Sequence, residues 1–493
     1  MIFGKDCIII MNCAKATVML TEYGGVRVPM NDKRLFSNRD LAKILLPMVL
    51  QNVLTITIGM ADSIMVSGSG EAAFAGVSLV NSLDTLLVSL FTSIAAGGTV
   101  VLAQAMGRKD QQTACDGAKQ LLYVSTAIAA IISAVLLVLR TPLLTVLFGE
   151  AEESVLASAM RYFSIVLISY PALAISSSAA SVFRAQGDSM IALKISLLEN
   201  ALNVTGNAIL IYGLKMGAAG AAIATLISRV IGAVIITMIA RNPKRYIHLQ
   251  DIFRYRPNAP LIKSILRIGI PGGVESSLFQ LGKLITSSLV SSLGTASIAA
   301  NAAAHSIVTL QYTTGTAVQN TMVAVVGRCV GAEEQEQAKH YTRKLVGVCY
   351  GLITAMAVIT CLLHKPLLGL YNLSGESFLM ARTLMFYHGL AASLIWAIAF
   401  ALPAAFRAAN DVNFVMVASI LSMWLCRVGL AYILAKESVS VLGLFTIPGA
   451  GLDILGVWIA MTIDWVLRVI LFLWRFFSGK WLTKYQRIEK SPM

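Results

Sequence analysis

Apolar stretches of helical length recur along the chain, each closed by a short polar segment. A helix crossing a bilayer needs about 20 predominantly apolar residues. The pattern therefore predicts twelve spans, at residues 41–65, 73–104, 117–139, 158–183, 190–212, 217–240, 262–291, 296–327, 341–363, 378–406, 412–435 and 452–476. Pro47, Pro171, Pro271 and Pro403 fall inside spans. They would break soluble helices, but neighbouring helices can satisfy the freed backbone groups in a membrane bundle.

The pattern also repeats. Pro47, Gly107 and Pro142 each have a partner 224 positions on, at Pro271, Gly331 and Pro366. Phe183-Arg184-Ala185 ahead of Asp188 matches Phe406-Arg407-Ala408 ahead of Asp411, and Gly220–Ala224 matches Gly456–Ala460 after an insertion near 437–448. Two halves of six spans insert in the same sense, so their pseudo-twofold axis is expected along the membrane normal. The expected organisation is an N-terminal extension over 1–37, a first bundle over 38–240, a linker over 241–261, a second bundle over 262–478 and a tail over 479–493. The fold class is an all-α polytopic membrane protein, with twelve transmembrane helices in two pseudo-symmetric six-helix bundles around a central cleft. Rocking of the bundles would give alternating access.

Composition agrees. Of 493 residues, 57% are hydrophobic and 13% charged, about half the charged share of a soluble domain. The net charge of +14 is not a nucleic-acid signal, because the basic residues sit in short loops and tails. With the N-terminus inside, segments around Arg108, Arg241–Arg267, Arg328–Lys344 and Arg475–Lys490 are inner. Outer loops then hold only Arg140, Arg161, Lys215, Lys365, Arg382 and Lys436. This bias places both termini in the cytoplasm. Cys7, Cys13, Cys115, Cys329, Cys349, Cys361 and Cys426 are scattered, with no CxxC pair, so reduced thiols are expected rather than a disulfide framework or zinc.

Acidic residues inside spans are few: Asp62, Asp84, Glu199, Glu275 and Asp464. A carboxylate in the membrane is expensive and is by default a functional candidate. Ser196, Asn200, Asn203 and Asn207 share one face of span five, and Asn52, Thr55, Gly59 and Asp62 follow a similar stripe on span one. Such stripes must face each other or a wet cavity. Span eight carries Asn301, His305, Thr309, Tyr312, Thr316 and Gln319 at helical spacing; these could line a cleft or pack between helices. Glu275, Lys283, Asp464 and Arg468 on spans seven and twelve form a charge-balanced quartet; Asp464 and Arg468, at i and i+4 on one helix, can pair, and mutual pairing is the plainer reading for the four.

Several motifs, together with this architecture, resemble the MATE family (multidrug and toxic compound extrusion), in its DinF-like branch. They are GMADSIMVSGSG closing span one, GRKD after span two, FRAQGDS after span four, NVTGNAILIYG in span five, GAAGAAIAT opening span six and IGIPGGVESSLFQLGK in span seven. The resemblance implies a bacterial cytoplasmic-membrane antiporter that exports amphipathic, often cationic, organic compounds against inward H⁺ or Na⁺. It maps cation coupling onto Asp62, Asn203, Asn207 and Thr225. Asn207 stands where many relatives carry an Asp, which removes a charge, ranks H⁺ above Na⁺ and leaves Asp62 as the clear acid. Some branches carry a Glu in span seven and an Asp in span ten; Gln280 and Trp396 stand at those positions here, and neither can carry a proton. Gln280, Lys283, Asn301, His305 and Tyr312 are the candidate substrate-cleft residues. Expected partners are a small organic substrate and membrane lipid, with no nucleic acid, no cofactor beyond the coupling ion, and a monomeric state. Two alternatives stand beside this reading: a lipid-linked precursor flippase of the same superfamily, and a membrane-embedded enzyme. No GxxxxGK[ST] motif occurs, and no catalytic constellation marks an enzyme.

Overall fold

The computed structural model describes residues 34–148, 152–250, 256–371, 373–441 and 445–483, and the backbone alone at 57, 58, 60–63, 439–441, 445 and 446. Most of the N-terminal extension, five linker residues and most of the tail lie outside the described residues. Twelve long helical rods are present among the described residues. These are α1 (Asn38–Ser67), α2 (Glu71–Gly107), α3 (Gln111–Phe148), α4 (Glu153–Gln186), α5 (Ser189–Asn207, continued by a π-helical stretch Ala208–Gly213) and α6 (Gly217–Ala240). They continue with α7 (Ala259–Ser291), α8 (Thr295–Gly331), α9 (Gln335–Leu362), α10 (Gly375–Ala408), α11 (Val412–Ala435) and α12 (Asp453–Phe477). Eight of the twelve are long and apolar enough to cross a membrane on hydropathy alone. The other four, α1, α5, α7 and α8, carry the polar stripes and every candidate site residue except Thr225 on α6. Polar side chains facing other helices lower the average without making the rod less a span.

The insertion between α11 and α12 carries the strand pair found among the described residues: Ser438–Val441 (β1) pairs antiparallel with Phe445–Pro448 (β2), Val439 opposite Ile447. The β-branched residues Val439, Val441, Thr446 and Ile447 favour a strand over a helix.

The chain divides into two compact units: residues 37–277 with 331–333, and 278–330 with 334–492 and the segment before 37. In the first, Phe91, Phe163, Tyr170, Leu144 and Val80 are fully buried and form one apolar core. Gly97 on α2 lies against the backbone of Gly269 on α7, so the two helices approach as closely as a pair of glycines permits. In the second unit, Leu35 N–H donates to Gln337 Oε1 (3.0 Å) and Tyr341 O–H to Phe36 O (2.7 Å), pinning the segment before α1 onto α9. Ser37 and Asp40 then form a reciprocal capping box that starts α1. Exposed Ile131, Val135, Val138 and Leu139 on α3 present a face suited to acyl chains.

The repeat is visible in local geometry. After α2, Lys109 is left-handed (φ 61°) and Asp110 N–H donates to Ala105 O at 3.0 Å; after α8, Glu333 (φ 59°) and Glu334 N–H to Cys329 O at 3.0 Å do the same. After α4, Gly187 is left-handed and Asp188 N–H donates to Phe183 O at 2.9 Å; after α10, Asn410 and the Asp411-to-Phe406 bond, also 2.9 Å, repeat it. These are the same helix stop used at equivalent points. In each half an arginine then takes the Asp: Arg245 to Asp188 at 3.0 Å and Arg475 to Asp411 at 2.7 Å.

Candidate functional site

In the first unit, three of the four predicted coupling residues form a hydrogen-bonded group. Asn203 Nδ2 donates to Thr225 Oγ1 (3.1 Å), and Asn207 Nδ2 donates to Asn203 Oδ1 (3.4 Å). Thr225 O–H donates down its own helix to Ala221 O at 3.0 Å, which leaves its oxygen free to accept from Asn203. Asn207 is fully buried. The α5 and α6 backbones come together because Gly206 faces Ala224, with no room for a Cβ. Asn207 is also the last α-helical residue before the π-helical stretch. Such widened turns re-aim side chains and are frequent at functional sites.

Asp62 lies on α1, which packs along α5; its side chain is outside the described residues. Tyr212, in the π stretch of α5, donates to Met65 O at 3.2 Å. Met65 is three residues beyond Asp62 and Tyr212 five beyond Asn207. At 1.5 Å rise per residue, the Asp62 backbone lies within about one turn of the Asn207 level.

The stripe on α5 continues differently from the expected Ser196–Asn200 face. Asn200 donates only to Ser196 Oγ on its own helix, at 3.5 Å. The face that meets other helices is Glu199, Asn203 and Asn207, each about 6 Å apart along the axis. Glu199 Oε1 accepts from Ser176 Oγ on α4 (2.8 Å) and fills the space that Gly232 on α6 leaves open. One turn below Thr225 on α6, Arg229 donates to Ser169 Oγ (2.8 Å), stands 3.8 Å from Asp84 on α2 and lies over the Tyr170 ring. Glu199 is thus a second carboxylate on the Asn203 face, and Arg229 and Asp84 sit one turn further in. Arg229 was absent from the predicted site. Its signal was available: a guanidinium in the apolar run Ile227–Val234 is an intramembrane ionisable group.

In the second unit the predicted residues separate by role. Asn301 Oδ1 accepts from Trp458 Nε1 on α12 (3.0 Å) and is interhelical packing. Tyr312 bonds Thr309 on its own helix (3.2 Å) and stacks on Trp396. Gln280, Lys283 and His305 are half-buried. The strongest interhelical polar contact is a side chain off the predicted stripe: fully buried Gln311 donates to Thr360 on α9 (2.7 Å) and meets His388 Nδ1 on α10 (2.7 Å). Trp396 sits in a π-helical stretch, Ala392–Ala401, opposite Gly315, and stacks on Phe400. Of the expected charge quartet, the i, i+4 pair on α12 forms. Arg468 and Asp464 pair at 2.9 Å, one turn apart on α12, while Lys283 has no ion-pair partner among the described residues.

Known proteins place this architecture. The chain is 26% identical over 450 residues to the "Uncharacterized transporter YisQ" of Bacillus subtilis, covering 89% of this chain and 94% of that protein. It is 26% identical over 457 residues to "Probable multidrug resistance protein NorM" of Thermotoga maritima, covering 90% and 93%. Its fold matches the outward-facing conformation of a multidrug resistance MATE family transporter of the MOP superfamily, with a TM-score of 0.80 at 20% identity over 90% of this chain and 96% of that one. The MatE family model matches twice, at residues 47–209 and 271–433, and the two matches stand in the 224-residue register of the repeat. The chain therefore belongs to the MatE family, multi-pass membrane transporters of multidrug efflux and not enzymes.

Proposed function

We propose that the protein is a secondary antiporter that exports amphipathic organic compounds from the cell against an inward cation, H⁺ ahead of Na⁺. It would work as a monomer in the bacterial cytoplasmic membrane with both termini in the cytoplasm, as the loop charges favour. The observation that supports this reading is the α5–α6 group: Asn203, Thr225 and Asn207 bonded to one another, with Glu199 one turn along the same face. An amide–hydroxyl group of this kind cannot load a proton. It can hold the helices in register around the carboxylates that do, Asp62 on the neighbouring α1 and Glu199 on α5. Protonation removes a charge that is costly in low dielectric. The closed and open packings of the first unit are then weighted differently in the loaded and empty states, and a differential interaction of this kind is what coupling requires.

Asn207 in place of a carboxylate leaves the group with amide oxygens of low charge. Tight binding of a hard cation favours more anionic oxygen, which is the reason for ranking H⁺ first. In the second unit Gln280, Lys283, His305 and Tyr312 are the half-buried candidates for the substrate wall; Asn301 is committed to Trp458. Division into bundles over 38–240 and 262–478 remains the working organisation for transport.

The test is uptake of a fluorescent organic compound into everted vesicles, under a pH gradient and then a sodium gradient. Wild-type protein should accumulate the dye with the pH gradient. Asp62→Asn, nearly isosteric but unable to exchange a proton, should reach the membrane and fail to transport uphill. Uphill transport by Asp62→Asn at the wild-type rate would overturn the coupling scheme.

A further inference from the structure

The second unit holds an excess of positive charge at span depth. Lys283 on α7, Arg427 on α11 and Arg468 on α12 share a neighbourhood with one carboxylate, Asp464. Arg468 Nε uses that carboxylate at 2.9 Å, and its NH2 group donates to Ser419 O at 3.1 Å. The Arg427 and Arg468 guanidinium carbons each lie 5.5 Å from the centre of the Phe279 ring. Arg427 is within Coulombic reach of Arg468 and Asp464, and Lys283 within reach of Arg427. Among the described residues neither Lys283 nor Arg427 has an ion pair or a side-chain hydrogen bond, and both are half-buried. His305 on α8 is within Coulombic reach of the same two cations.

Unpaired cations inside a bilayer are expensive, and side chains of this kind are kept where they meet a counter-charge or a water-filled pathway. Arg427 lies within a π-helical stretch, Met423–Gly429. Beside the cations runs a ladder of rings: Tyr312 stacks on Trp396 at 6.2 Å, Trp396 on Phe400 at 5.1 Å, and Arg468 lies over Phe400 at 5.1 Å. Donors without acceptors next to flat apolar surface fit a ligand with an acidic head and an aromatic or aliphatic body.

We propose that Lys283 and Arg427 bind the acidic group (carboxylate, sulfonate or phosphate) of an amphipathic compound, whose body packs on the Tyr312–Trp396–Phe400 ladder. The inference rests on the export reading for its meaning as a substrate site, and it reverses the cationic preference implied by the family resemblance. Guanidinium takes such a head with two parallel bonds and ammonium with one. The acidic head could belong to a soluble compound or to an anionic lipid.

The test uses the purified full chain in nanodiscs of phosphatidylcholine, with two xanthene dyes of similar ring body and opposite charge, fluorescein and rhodamine 6G. Binding is read by fluorescence anisotropy. Fluorescein should bind the wild type, weaken roughly ten- to a hundredfold in Lys283→Gln and in Arg427→Gln, as expected for a lost charge-assisted bond, and recover in Lys283→Arg. Rhodamine 6G should not weaken in the neutral variants. Lys283 makes no side-chain bond, so Lys283→Gln should fold and carries the test if Arg427→Gln does not; a matched thermal midpoint checks this. Phosphatidylglycerol added to the discs distinguishes the sources: competition with fluorescein assigns the site to a lipid head, and its absence assigns it to a soluble acid. Fluorescein binding that is absent, or equal in wild type and Lys283→Gln, overturns the inference. Gradient-driven rhodamine export alongside that result leaves the exporter reading standing. Lys283-dependent fluorescein binding with no uphill transport of either dye overturns the exporter reading alone.

Discussion

Asp188 and Asp411 occupy equivalent points of the repeat and each receives an arginine, yet removing them should cost very different amounts. The Arg475–Asp411 pair is 2.7 Å long with side chains 15% and 0% exposed; the Arg245–Asp188 pair is 3.0 Å long with side chains 25% and 38% exposed. Deleting one partner of a buried pair leaves an uncompensated charge and costs about 3–5 kcal/mol. An exposed pair is screened and contributes about 0–1 kcal/mol. Arg475 also stacks over Phe414 at 4.7 Å, a contact that survives loss of the carboxylate and keeps Asp411→Ala toward the lower end of its range. Thermal midpoints in one detergent at one scan rate are the assay, because unfolding of such a protein is kinetically controlled. With about 2–4 °C per kcal/mol for units of this size, Asp411→Ala should melt roughly 5–15 °C below Asp188→Ala. Adding Arg475→Leu to Asp411→Ala should recover part of the loss, since the stranded charge goes with it. The reasoning is refuted if the two Asp→Ala variants melt together, or if the double variant melts no higher than the single one.

Asn207→Asp should introduce sodium dependence into vesicle uptake, because it restores a charged hard oxygen beside Asn203; uptake indifferent to sodium would remove the amide as the basis of ion choice. Glu199→Gln keeps the acceptor for Ser176 and should fold, but export should no longer respond to the pH gradient; unchanged coupling would confine the proton to Asp62. Gln311→Leu strands Thr360 and His388 from a buried partner and should lower stability by about 1–3 kcal/mol, read as a midpoint shift with no change in ion dependence. Gly97→Val would place a Cβ 2.7 Å from Gly269 N and 2.9 Å from Ile265 O, which backbone cannot evade, and should cost about 1–3 kcal/mol or more. Gly351→Val, with open space around it, is the control and should melt close to wild type.

The sequence by itself determined the class, the twelve spans, the repeat and the family. Each follows from one-dimensional regularities: runs of apolar residues long enough to cross a bilayer, motifs returning at 224 positions, and a stop such as Gly107–Lys109 or Asn410–Asp411 that any helix would obey. It also pointed to the α5–α6 group: Asn203 and Asn207 as amides on one face of an apolar helix, and Thr225 through the family resemblance. Tertiary structure decided which polar groups meet. Helical spacing allowed either Asn200 or Glu199 on the working face of α5; the gap left by Gly232 on α6 and the hydroxyl of Ser176 on α4 selected Glu199. Spacing also allowed the Asp464–Arg468 pair, at i and i+4 on α12, and it forms. Packing brought Lys283 within Coulombic reach of Arg427, a residue on another helix that periodicity could not bring near it. The physical reason is the same in both cases. Burial in lipid is decided along one helix, by composition, whereas the satisfaction of a buried polar group is decided between helices, by distances of a few ångströms that no spacing along the chain contains.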